Sequence, residues 1–171
     1  RGRIDVELNE TGVKQAELLA QYLSQLKIDA IYSSPLKRAL KTAEIIANYY
    51  KLTVAIAPGL TDFNYGEWQG LSQEEVKHRY KELYAKWLTS PHQVKMPAGE
   101  SLSEVSERAI GVVNKVLICA LLGLDNSHFW NIKLDTCGIS IFIYENGRFT
   151  LTKHNDPSFL KPLHKAPLSD F

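Results

Sequence analysis

Ser33-Ser34-Pro35-Leu36-Lys37-Arg38-Ala39 joins a short apolar run to a helical pattern and places an arginine in the helix's first turn. A helix start gathers backbone N–H groups without intrahelical partners, together with the positive end of the macrodipole, and so favours anions. Ser34 or Ser33 can cap that start, and Pro35 suits the first helical position, where its missing N–H removes no bond. Arg38 adds a planar, permanently charged fork matched to phosphate oxygens. The local pattern predicts an anion site of the phosphate type. Its plain alternative is a solvated arginine on a helix surface.

The elements that must hold this site alternate between strand and helix. Residues 29–32 read as a buried parallel-type strand and 53–57 as a second, stopped by Pro58-Gly59. Residues 10–26 carry a helical stripe of Val13, Ala16, Leu19, Leu23 and Leu26, and the helix of about 35–50 turns Leu36, Ala39, Ala43, Ile46 and Tyr50 inward. Ser72-Gln73-Glu74-Glu75 has the capping-box pattern and predicts a helix ending near Trp87. Ser101-Leu102-Ser103-Glu104 repeats it, ahead of the stripe Leu102, Val105, Ala109, Val112 and Val116. Strands at 138–144 and 148–153 meet at Asn146-Gly147, a strong hairpin signal. This order predicts an α/β fold with a largely parallel sheet. The inventory has two gaps: no strand precedes the first helix, and the helix of 101–116 runs directly into 117–122, where a strand is expected.

At 171 residues and 44% hydrophobic content the chain can bury one core and is most simply one domain. A net charge of +1 leaves no basic excess for nucleic acid, no apolar run is long enough to span a bilayer, and no signal segment opens the chain. Cys119 and Cys137 form no CxxC pair and read as reduced thiols of an intracellular, cytoplasmic protein. His78, His92, His128, His154 and His164 show no HxH or HExxH spacing, so no metal is expected.

The order of motifs resembles the histidine phosphatase superfamily, also called phosphoglycerate mutase-like, in its small phosphatase branch. Residues 1–12 are similar to the segment following that family's nucleophile loop. Tyr32-Ser33-Ser34-Pro35-Leu36-Lys37-Arg38-Ala39 with Lys41-Thr42-Ala43 resembles its second signature, and Leu60-Thr61-Asp62-Phe63-Asn64-Tyr65-Gly66-Glu67-Trp68-Gln69-Gly70 its acid loop. Pro97-Ala98-Gly99-Glu100-Ser101-Leu102 and Asn155-Asp156 fit later landmarks, so the likeness covers nearly the whole chain. It implies a three-layer sandwich, a mostly parallel central sheet with helices on both faces and a C-terminal hairpin.

The resemblance also implies the chemistry: a metal-independent and cofactor-free phosphomonoesterase that hydrolyses a small phosphorylated metabolite through a phosphohistidine. Arg38 matches the phosphate-clamping arginine. Asp62 matches the general acid, where glutamate is commoner, and must hold a proton near neutrality with help from a nearby phosphate and partial burial. Glu67 is a rival acid, set in what resembles a packing corner. Tyr65 matches a substrate-contacting tyrosine of mutase-type relatives, a core tyrosine being the alternative. Gly2 lies where the family's backbone approaches substrate, and Arg1 where phosphatases often carry glutamine. Trp68, Trp87 and Trp130 read as core or pocket wall, and the charged helix of 72–87 as a solvated lid or dimer face. A homodimer is the first assembly to expect.

The chain departs from the pattern at two places. The family's Arg-His-Gly near the N-terminus is absent, and Val116-Leu117-Ile118 passes across the point where a strand leads to the second histidine. We expect both histidine loops to belong to the protein and to fall outside this sequence, a deletion being the alternative. The competing readings are a phosphoglycerate mutase and an inactive relative that binds phosphorylated ligands.

Overall fold

The computed structural model describes residues 2–108 and 114–163, and the chain divides into two compact units. One comprises Asp5–Pro58 and Leu134–Phe171; the other comprises Arg1–Ile4 and Gly59–Lys133.

The first of these units opens with α1 (Glu10–Leu23), capped by Asn9, whose Oδ1 accepts from the Gly12 N–H at 2.9 Å. The helix stops three residues short of Leu26, which is exposed. Strand β1 (Ile31–Ser33), helix α2 (Lys37–Tyr50) and strand β2 (Val54–Ile56) follow, with β1 and β2 parallel in the register Ile31↔Val54 to Ser33↔Ile56. Among the described residues β1 bonds to β2 alone, and both strands carry exposed side chains: Tyr32 is 67% and Ile56 55% exposed. The fully buried parallel strand read from the sequence is corrected accordingly. Strands β3 (Ile139–Glu145) and β4 (Arg148–Asp156) form the anticipated hairpin. Its turn takes positive φ at Asn146 (52°) and Gly147 (77°), the combination that matches strand twist.

The other unit is helical. The helix expected to run from 72 to about 87 is instead two, α3 (Gln73–Arg79) and α4 (Lys81–Thr89). Tyr80 breaks the line at φ −126°, ψ 41°. Its hydroxyl donates to Glu67 Oε2 at 2.7 Å and its ring tilts against Trp68, so tertiary contacts override helical propensity there. Both capping boxes form. Ser72 and Glu75 exchange bonds at the start of α3, and the Ser101 N–H donates to Glu104 Oε2 (2.7 Å) while the Glu104 N–H donates to Ser101 Oγ (3.2 Å). Next come α5 (Leu102–Arg108) and α6 (Asn114–Leu122), the latter helical through the 116–118 stretch; Ala109 and Val112 of the expected stripe lie outside the described residues.

These helices close over Phe63, Trp68, Trp87, Met96, Leu102, Val105, Val116 and Phe129, all nearly inaccessible. Trp87 is the hub: its ring stacks on Phe63 at 5.7 Å, meets Phe129 at 5.4 Å and stands edge-on to Trp130 at 5.8 Å. The half-buried Trp130 donates its indole N–H to the Trp87 carbonyl at 2.7 Å. The tryptophans are therefore core, as the sequence indicates.

On this core two loops meet backbone to backbone. The Glu67 N–H donates to the Pro97 carbonyl (2.9 Å) and the Glu100 N–H to the Asn64 carbonyl (3.0 Å). Glycine makes the approach possible. A Cβ on Gly66, held at φ +53°, would lie 1.9 Å from the Pro97 oxygen, and one on Gly99 would lie 2.4 Å from the Asn64 oxygen.

Two outcomes follow. Gly66→Ala is expected to destabilise the protein by about 3 kcal/mol or more, combining backbone strain with overpacking; an unchanged urea midpoint would refute the docking. Glu104 gives a pH signature, because the Lys95 ammonium, and then the Ser101 N–H and hydroxyl, hold its carboxyl down to about 2 from 4.5. A depressed carboxyl stabilises above its unfolded value, and that contribution fades as pH falls from about 4.5 toward 2. Glu104→Gln should therefore flatten part of the acid fall in urea midpoint, measured between those limits.

Candidate active site

Gly2, Asp62 and Tyr65 come together in the unit built from 1–4 and 59–133. Gly2 takes φ +47°, and a Cβ there would meet the Phe63 oxygen at 2.7 Å, Gln69 Oε1 at 2.8 Å and Tyr65 Cδ2 at 2.9 Å. Arg3 ties down the segment after it: its N–H donates to Gln69 Oε1 at 2.7 Å, and its Nε donates to the Asp62 carbonyl at 3.2 Å. Asp62 turns its Oδ1 back to accept from the Phe63 N–H at 2.7 Å. That bond fixes the carboxyl group's direction at the head of the loop.

Tyr65 lies between Phe63, edge-on at 4.7 Å, and Trp87 at 6.4 Å. Burial, with the Asp62 carboxylate adding to it, pushes its phenol up to about 12. It stays protonated throughout the physiological range and can only donate or accept as a neutral hydroxyl. The ring packs among the core aromatics, as the core reading expects. Glu67, the rival acid, is engaged by the Tyr80 hydroxyl.

Glu100 spans the two loops with both oxygens. Oε1 receives Arg3 Nη2 at 2.7 Å and Oε2 receives the Asn64 N–H at 2.9 Å. Asn64 Oδ1 in turn accepts from the Gly66 N–H at 2.9 Å. The Glu100 side chain is 16% exposed, so these bonds operate largely out of bulk water. Arg3, Asn64 and Gln69 had no chemical role in the sequence reading. The signal that could have found them was the Gly99-Glu100-Ser101 landmark, whose glutamate both Arg3 and Asn64 engage.

Arg38 belongs to the other unit, where it is the second residue of α2, half-buried in the first turn. The start of that helix differs from the sequence expectation. Leu36, not Ser33 or Ser34, is the N-cap and makes no side-chain cap bond; Pro35 stays in the preceding turn. Ser34 Oγ accepts from the Leu36 N–H at 3.2 Å, which orders the turn. The first helical amide, Lys37 N–H, donates to Asp5 Oδ1 at 2.7 Å, and Lys37 Nζ pairs with Glu7 at 3.2 Å. The helix start does attract an anion, but one of its donors serves a carboxylate of the chain itself. Arg38 keeps the first-turn position that the sequence assigned it.

Arg1, the remaining expected contact, lies outside the described residues. Among the described residues no group of three or more His, Cys, Asp and Glu side chains could hold a metal ion, and no helix is long and apolar enough to cross a membrane. Both cysteines are free thiols.

The profile of the histidine phosphatase superfamily (branch 1) matches the chain in two segments, residues 1–116 and 110–157. Phosphoserine phosphatase 1 of Hydrogenobacter thermophilus is 37% identical over 91% of this chain and 83% of its own length. Among solved structures, Bacillus stearothermophilus YhfR superposes with a TM-score of 0.86 at 24% identity, covering 94% of this chain and 90% of that one; at this identity the likeness speaks for the α/β fold alone. A mutant phosphoserine phosphatase from Entamoeba histolytica, solved in complex with phosphoserine, gives a TM-score of 0.74 at 28% identity over 94% of this chain and 89% of that one. A profile matched over most of the length, together with a relative this similar across nine-tenths of it, establishes that the chain belongs to the histidine phosphatase superfamily.

Proposed function

We propose that this chain is the body of a metal-independent phosphomonoesterase acting on a small phosphorylated metabolite, with phosphoserine the first candidate. The carrying observation is the place of Arg38 in the first turn of α2 in a chain of this family. The 37% identity to a phosphoserine phosphatase suggests where to begin with substrate. We read the whole chain as one domain of the family's three-layer type, working in the cytoplasm with its two thiols reduced.

In this reading a histidine from a family loop outside the sequence attacks phosphorus, and the bond to the ester oxygen breaks. Arg38 holds the equatorial oxygens, whose charge is what phosphoryl transfer must stabilise. Asp62 gives its proton to the departing alkoxide. It then takes one from the water that attacks the phosphohistidine, so the carboxyl ends as it began. In the same reading the Tyr65 hydroxyl contacts the phosphate or the carboxylate of the substrate, and Gly2 lets the backbone approach. The family match comes in two segments that meet and overlap at 110–116, which supports reading 116–118 as the point where a further family segment belongs.

Two substitutions in the full-length protein test the roles. Arg38→Ala should lower phosphoserine turnover by several powers of ten through loss of a transition-state charge clamp. Asp62→Asn should slow alkyl phosphates by about a hundredfold or more while leaving p-nitrophenyl phosphate, whose leaving group needs no proton, far less affected. Equal loss on both esters removes Asp62 from the acid role. Interconversion of 3- and 2-phosphoglycerate faster than phosphate release would make the protein a mutase.

A further inference from the structure

We infer that Asp5 is a positioning residue for Arg38: from 32 positions before its first amide it caps helix α2, and so fixes the turn that carries the arginine. This role rests on the phosphate-clamping one proposed for Arg38.

Helix α2 has no side-chain cap of its own. Its N-cap is Leu36, whose side chain accepts nothing, where a serine, threonine, aspartate or asparagine would bond an amide of the first turn. Ser34 Oγ accepts from the Leu36 N–H at 3.2 Å, one residue before the helix proper. Asp5 supplies the missing acceptor. Its Oδ1 takes the Lys37 N–H, the first amide of α2, at 2.7 Å, the short length of a bond to a charged acceptor. The carboxylate also stands at the positive end of a 14-residue helix, where negative charge is favoured.

Peptide groups on both sides of Arg38 are held. The Lys37 N–H before it goes to Asp5, and the Ala39 N–H after it donates to the Leu36 carbonyl at 2.9 Å. The Arg38 carbonyl accepts from Thr42 Oγ1 at 3.0 Å. Leu36 and Thr42 come with the helix itself, whereas Asp5 ties its first turn to a distant part of the chain. A first turn that frays carries the Arg38 Cα with it, and the guanidinium at the end of a long side chain moves further still. Misplacing a reacting or clamping group by about 1 Å can cost roughly a hundredfold in rate. The segment is built for capping: in Asp5-Val6-Glu7-Leu8-Asn9 polar and apolar residues alternate, and Asn9 caps α1 through the Gly12 N–H at 2.9 Å.

The test is Asp5→Ala and Asp5→Asn in the full-length protein, with Asp5→Ala also made on Arg38→Ala. Asp5 is exposed, so its truncation opens no cavity and the variants are expected to fold. Asp5→Ala should lower phosphoserine turnover about tenfold or more. Asp5→Asn keeps an oxygen for the Lys37 N–H and should stay within about threefold of the unmodified protein. On Arg38→Ala, the Asp5→Ala change should cost nothing further, because the group it positions is gone. The same loss with and without Arg38, or a loss as large for asparagine as for alanine, overturns the inference. Amide hydrogen exchange gives a reading free of activity: exchange at Lys37 should quicken in Asp5→Ala and not in Asp5→Asn. Unchanged exchange in Asp5→Ala means that Asp5 does not hold the turn. Should Arg38→Ala alone leave turnover intact, the clamp reading fails, while exchange at Lys37 still judges the cap.

Discussion

Two loops approach so closely in the helical unit that neither tolerates a side chain at the point of contact. Gly66 faces the Pro97 carbonyl and Gly99 faces the Asn64 carbonyl. The Glu100 carboxylate fastens the pair from the side, with Arg3 and the Asn64 amide as its partners. Beside this contact lie the carbonyl of Asp62, which accepts from Arg3, the turn at Gly2, and Tyr65 edge-on to Phe63. Behind it, the aromatic cluster around Trp87 gives the loops a rigid floor. Truncating such a hub costs on the order of 3–5 kcal/mol in other cores. Well-placed donors and acceptors on a stiff support are what preorganised electrostatics needs, because they do not reorganise during reaction.

The other unit solves a different problem. An arginine at a helix start is useful only if the start itself is held, and Ser34, Asp5 and Lys37 do this between them. Asp5 spends its carboxylate on the first amide of α2, which satisfies a donor that would otherwise need solvent. One amide of the helix start that the sequence reads as an anion site is thus bonded to a carboxylate within the fold.

Local signals were legible, and long-range pairings were not. Both capping boxes and the Asn146-Gly147 hairpin depend on residues within a few positions of each other, and all three form as read. The loop of 60–70 was singled out by its own run of residues. Arg3 and Glu100, by contrast, lie 97 positions apart, and no periodicity announces such a pair. The break at Tyr80 escaped because the helical pattern continues through it; only the pull of Glu67 and Trp68 decides otherwise. The exposed Tyr32 and Ile56 escaped because an apolar strand looks buried until the number of strands beside it is known. The split into α3 and α4 and the true cap of α2 are corrections of the same kind, in which neighbours distant in sequence outweigh local preference.

The central claim is that this protein transfers phosphoryl groups through its own histidine. The most direct measurement is to mix the full-length protein with radiolabelled phosphoserine, quench rapidly, and test the labelled protein for stability in acid and in base. The account requires a label on the protein that is lost in acid and kept in base, formed and discharged as inorganic phosphate appears. A protein that binds phosphate, loses that affinity on Arg38→Ala, and yet acquires no label and releases no phosphate would contradict it.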